Sequence, residues 1–226
     1  MKPHEQEEIT YEEIKKEFQL ERMILFSDAV FAIVITLMAI EIKIPEDVKL
    51  TDATLASAMT HLIPTILAYI VSFGFIGSIW YQHLKMFSLL KDYNKGLVVR
   101  NMVLLFFIGL FPFSATIITR AKGQMLPFFM YLFMILFSVI AQFVLYHYIV
   151  NNPSIRLNTD LTEHKAELRK RKFAVIGFSI SAVLILITYN VISEPELKNL
   201  SMLWMMLFPI AFKIWAKKTT LKPAKL

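Results

Sequence analysis

Apolar residues in this chain come in long runs separated by short polar clusters. That pattern rules out a single soluble core and predicts an all-α bundle of helices in lipid. A bilayer core of about 30 Å takes roughly 20 apolar residues as a helix. Six runs approach that length. The first extends from about Met23 to Ile44 and ends at Pro45. The second covers about Leu55 to Tyr81, the third Leu97 to Ile118 and the fourth Met125 to Val150. The fifth covers about Phe173 to Ile192 and the sixth Leu200 to Ala216, with the third and sixth the shortest. Ahead of the first run, Thr10 followed by Glu13 reads as a capping box, so residues 1–21 are expected to be helical too. The domain reading is therefore an N-terminal segment 1–21, a six-helix transmembrane domain 22–218 and a short tail 219–226.

Composition agrees. Of the 226 residues, 56% are hydrophobic and 19% charged, against roughly 45–50% and about 25% in ordinary soluble domains. The first 22 residues are acidic and polar, without the basic and apolar stretches of a signal peptide. Cysteine is absent, which excludes disulfides and thiolate metal sites.

The net charge of +6 would suggest nucleic acid in a soluble protein. Here its distribution gives a topology instead, and no nucleic-acid partner is expected. Residues 1–22, the 82–100 and 151–172 loops and the C-terminal stretch from Lys213 on hold 19 of the 24 basic residues. Basic residues concentrate in cytoplasmic loops, so both termini are placed in the cytoplasm of a multi-pass cell-membrane protein. Lys170, Arg171 and Lys172, with Arg169, form a juxtamembrane cluster suited to anionic lipid.

The first run holds the residue that most needs explaining. Asp28 lies inside an apolar helix, where a carboxylate costs about 2.5–3.5 kcal/mol at the centre. It must have a partner or face water. At 100° per residue, Ile33, Leu37, Ile40 and Ile44 share one stripe, with Arg22, Phe26 and Ala29 on or near it. Asp28 points about 140° from Ile33, and Ser27 about 120° away on the other side. The stripe and the polar pair therefore serve different neighbours.

The string R-x-x-x-F-S-D from Arg22 to Asp28, followed by Ala-Val-Phe-Ala-Ile-Val-Ile-Thr-Leu, resembles the transmembrane protein 175 family of potassium channels. Trp80, His83, Asn101 and Phe111-Pro112-Phe113 extend the likeness over about the first 120 residues. One copy of the string is present, as in the single-repeat prokaryotic members. The resemblance implies a homotetramer in membrane lipid, with a central pore lined by the first helix of each subunit. It implies a constriction of apolar rings at Ile33, Leu37 and Ile40, flanked by Thr36. It also implies that Arg22, Phe26, Ser27 and Asp28 open that helix as part of a structural hydrogen-bond network, for which Trp80, His83 and Asn101 are the best donors here. Potassium would be the permeant ion, with no cofactor and no enzymatic activity. No T-V-G-Y-G string is present, so a carbonyl-lined filter is not expected.

Other chemistry finds little support. His61, His83 and His147 lack metal-binding spacing, and no G-x-S-x-G or phosphate-loop motif occurs. Trp204 and Trp215 suit an interfacial aromatic belt. Pro112 and Pro209 are expected to kink their helices, and Glu41 and Asp47 on the other face read either as plain solvated charges or as a weakly cation-attracting mouth. The competing readings are a secondary ion or proton transporter with Asp28 as coupling site, and a membrane enzyme or accessory subunit built on Asp28, His83 and Asn101.

Overall fold

The computed structural model describes residues 3–44, 51–120, 124–192, 194 and 204. Among these residues the protein is all α-helical and contains no strand, only a single bridge between Leu90 and Arg156. The helices are α1 (Pro3–Ile40), α2 (Asp52–Phe87), α3 (Lys95–Gly109), α4 (Phe111–Arg120), α5 (Met125–Asn151) and α6 (Thr162–Val191). Five helical segments are long and apolar enough to cross a membrane, with α3 and α4 together making one of them. The expected sixth span, Leu200–Ala216, lies outside the described residues, as do Pro209 and Trp215.

Between His4 and Ile44 the sequence has neither glycine nor proline, and α1 runs unbroken for 38 residues. Thr10 therefore sits within the helix rather than at its start, because Pro3 and the residues after it continue the helix toward the N-terminus. Pro45 disfavours helical geometry at Ile44, and α1 stops just before. The expected kink at Pro112 is a full break. Proline has no N–H to donate and its ring crowds the carbonyl four residues earlier, so α3 ends at Gly109, Leu110 caps it, and α4 starts at Phe111. Phe111 is fully buried, with the rings of Phe75 and Tyr131 at 5.3 and 5.9 Å. Asn94 caps the start of α3 by accepting from the Leu97 N–H at 2.9 Å.

Residues 1–161 form one compact unit and 162–226 a second. In the first, α1 packs against α2, α3 and α4, while α5 covers α3 and α4. The core holds Phe31, Ile76, Met86, Leu97, Leu104, Ile108, Leu145 and Ile149. The α2–α3 connection and the segment after α5 lie together. Lys91 N–H donates to the Ile155 carbonyl and Leu157 N–H to the Leu89 carbonyl, so those two connections share one end of the bundle. In the second unit, α6 begins eleven residues before the apolar run and takes in the basic cluster 169–172. Gly177, Ser181, Ala182 and Ile185 mark its buried stripe.

Candidate functional site

The two faces of α1 carry the site. Leu20, Ser27, Phe31, Val34 and Met38 recur every three, four or seven residues and are all buried, which gives α1 one face turned into the bundle. The opposite face exposes Ile33, Leu37 and Ile40 at 55%, 46% and 65%. Phe26 and Thr36 are also exposed there.

Ser27 anchors the buried face. Its hydroxyl donates to the Met23 carbonyl at 2.8 Å, one helical turn back. Having spent its proton, the oxygen accepts from the Asn101 amide N–H on α3 at 2.8 Å. The Asn101 amide oxygen thus faces α2, 3.0 Å from His83 Nε2. An amide oxygen only accepts, so His83 carries its proton on Nε2 and donates. The result is a directional chain from His83 to Asn101 to Ser27 to Met23, joining three helices. Ser27, His83 and Asn101 are essentially inaccessible to solvent. The imidazole is further held by stacking on Phe87, 3.9 Å between centroids, and a tilted contact with Phe31 at 5.6 Å. His83 Nδ1 has no hydrogen-bond partner among the described residues.

Asp28 makes a separate link, accepting from the Trp80 indole N–H at 2.9 Å. Of the three donors expected for the Ser27–Asp28 pair, one serves Asp28 while Asn101 serves Ser27 and His83 stands behind Asn101. The other two motif residues stay outside this network. Arg22 is exposed, its guanidinium 5.9 Å from the Phe18 ring centroid, and Phe26 is 51% exposed.

Three further links had not been read from the sequence. Gln142, buried in the middle of α5, donates to the Ile79 carbonyl at 2.9 Å. The Ser72 and Tyr131 hydroxyls meet at 2.7 Å, again joining α2 to α5. The Tyr93 hydroxyl donates to Gln19 and ties the lower part of α1 to the α2–α3 connection. A lone glutamine in an otherwise apolar span was a usable signal, since a polar group at that depth needs a partner.

On the exposed face, the Thr36 hydroxyl bonds back to the Ala32 and Ile33 carbonyls at 3.0 and 2.9 Å. That occupies its proton and leaves oxygen lone pairs outward. Past the end of α1, Glu41 pairs with Arg120 of α4 at 3.2 Å. Glu41 is therefore a partly exposed charge with a cationic partner; Asp47 lies outside the described residues. No group of three metal-ligating side chains occurs among the described residues.

Residues 22–112 match the family model described as endosomal/lysosomal potassium channel TMEM175. That segment starts at Arg22 of the R-x-x-x-F-S-D string and ends at Pro112. A potassium channel of Chryseobacterium sp. (strain P1-3) is 32% identical over 129 residues, 57% of this chain and 64% of that protein. A potassium channel of Chamaesiphon minutus is 34% identical over 99 residues, 44% of this chain and 49% of that protein. The chain thus matches roughly half to two thirds of the length of these relatives. The crystal structure of a lysosomal potassium-selective channel TMEM175 homologue from Chamaesiphon minutus superposes with a TM-score of 0.66 at 24% identity. That match covers 86% of this chain and 98% of the other. The chain is similar to TMEM175 channels over residues 22–112, shares the fold of the Chamaesiphon minutus homologue, and is a multi-pass membrane protein.

Proposed function

We propose that this chain is one subunit of a potassium-permeable channel, assembled as a homotetramer in the cell membrane with both termini in the cytoplasm. The observation that carries this reading is the contrast on α1. A polar network fixes the helix's rotation, and the face so turned outward is apolar, with Ile33, Leu37 and Ile40 in one stripe. The TMEM175 match over the same helix supports giving that stripe to a central axis rather than to lipid.

The stripe acts as a set of apolar rings. A hydrated ion crossing a narrow apolar ring loses part of its water without carbonyl compensation. Potassium holds its shell less tightly than sodium, so it loses less, and modest selectivity follows. The outward lone pairs of Thr36 Oγ1 stand between the rings, where they offer partial replacement for that water. The same rings can close the path by dewetting. Asp28 belongs to the scaffold in this reading, since Trp80 and the bundle hold it away from the stripe.

The test is reconstitution of purified protein with bi-ionic potassium and sodium recordings. Wild type is expected to pass potassium in preference to sodium. Ile33→Asn and Leu37→Asn are expected to change conductance or shift the reversal potential toward non-selectivity. Currents identical to wild type in both variants would remove the stripe from the permeation path.

A further inference from the structure

We infer that the part of α1 ahead of the membrane forms a parallel helical bundle with the same segment of neighbouring copies. This rests on the assembly reading above and goes beyond it, because residues 3–21 precede the segment matched by the family. At 1.5 Å per residue, α1 is about 57 Å long, nearly twice the roughly 30 Å of a hydrocarbon core. The excess continues the span without a break and leaves the bilayer as a projecting rod.

That rod has a fixed and a free side. Leu20 is buried and Gln19 accepts from Tyr93, which sets its rotation. The free side exposes Tyr11, Ile14, Phe18 and Leu25 at 67%, 60%, 58% and 58%. With Tyr11 as position a, these residues fill four of the first five a and d positions of a heptad pattern, and Glu21 takes the fifth. Around the helix Tyr11, Phe18, Leu25 and Ile14 lie about 40°, 60°, 80° and 100° from Ile33, all to one side and about 120–180° from the buried Leu20. Copies that bring Ile33 to a common axis therefore turn this stripe toward one neighbouring copy beside that axis.

Charge favours the same occupant. Chains inserted the same way are parallel by necessity, and in parallel bundles a g residue meets the e residue five positions later on the next helix. Here those residues are Glu17 and Arg22, both exposed and opposite in sign. An anionic membrane surface is the poorer partner, because residues 5–21 carry seven glutamates against two lysines.

The chain contains no cysteine, so single substitutions report cleanly in the full-length protein in liposomes. Treatment with a short bismaleimide is expected to join Ile14→Cys and Phe18→Cys subunits at least about tenfold faster than Lys16→Cys, on the opposite side of the heptad. Adding Glu17→Lys is expected to slow the Ile14→Cys reaction by like-charge repulsion against Arg22. Ile40→Cys reports separately on the membrane axis. Linkage at Ile40 with none at Ile14 and Phe18 overturns the bundle and leaves the channel reading intact. Linkage at Ile14 and Phe18 with none at Ile40 keeps the bundle and removes the common pore axis. Equal rates at Ile14, Phe18 and Lys16, or quenching of a fluorophore at Ile14→Cys by brominated lipid, overturns the bundle in favour of a free or membrane-lying helix.

Discussion

The two sides of α1 between Arg22 and Ile40 invert the usual relation of polarity to burial. Hydroxyl, amide and imidazole are buried on one side, while isoleucine and leucine are exposed on the other. In water the exposed side would be a liability. In a membrane it is neutral toward lipid and so carries little information about rotation. Polar groups in the interior supply that information, since each works in one orientation only. A slip of α1 by one residue would turn Ser27 about 100° from Asn101 and strand an amide in the bundle. The polar side thus decides where the apolar side points.

The largest way to break this contrast is at Asn101, which both accepts from His83 and donates to Ser27. Asn101→Leu removes both bonds and leaves the His83 N–H buried without an acceptor, costing about 1–3 kcal/mol. The reading is thermal unfolding of purified protein in detergent, where a clear loss of midpoint and of assembled species is expected. The double variant His83→Leu/Asn101→Leu is expected to lose less than the sum of the singles, because removing both partners strands neither. Additive losses would mean that the bond between them contributes nothing.

Asp28 gives a smaller effect and a sharper distinction. Asp28→Asn keeps an oxygen for the Trp80 N–H, whereas Asp28→Ala keeps none. If the carboxylate is scaffold, Asn retains assembly and current and Ala loses about 1 kcal/mol or more. A well-assembled Asp28→Asn protein without current would instead make the ionised group part of transport, as a coupling site requires.

How much of this was legible follows from the same physics. Asp28 stands out because charge inside an apolar run is expensive, and helical periodicity alone separates it from the face of Ile33. Ser27 is placed by the same periodicity and Trp80, His83 and Asn101 through the family resemblance, but their pairing is not. Which donor serves which acceptor depends on helix offsets of a few ångströms, which composition and period do not encode. The break at Leu110 was half visible, since Pro112 announces a disturbance without saying whether the helix bends or restarts. Gln142, Ser72 and Tyr131 are not singled out by the sequence pattern, because they hold α5 to α2 from within runs whose dominant signal is apolar. The long helical N-terminal segment agrees with the sequence, but its start does not lie at the Thr10 capping box, for a related reason. Thr10 and Glu13 have the composition of a helix start, yet helix-forming residues on both sides continue through them.

The smallest expected effect on stability belongs to Glu41 and Arg120, and it sharpens the comparison at the end of the exposed stripe. The pair spans α1 and α4 at 3.2 Å, with side chains 33% and 67% exposed. Exposed pairs contribute about 0–1 kcal/mol. Arg120→Ala is therefore expected to lower the unfolding midpoint by less than about 2–4 °C. Its electrical consequence is larger, because it frees the Glu41 carboxylate one residue beyond Ile40. On the channel reading, a free anion beside the pore axis concentrates cations at the mouth, and solution screening over about 10 Å at 0.1 M weakens it. Arg120→Ala is expected to raise potassium conductance at low ionic strength and to converge on wild type at high salt. Glu41→Gln is expected to show no such rise. Equal conductance of wild type and Arg120→Ala at low salt would place Glu41 away from the ion path. The exposed side of α1 would then end against lipid or another helix rather than at a mouth.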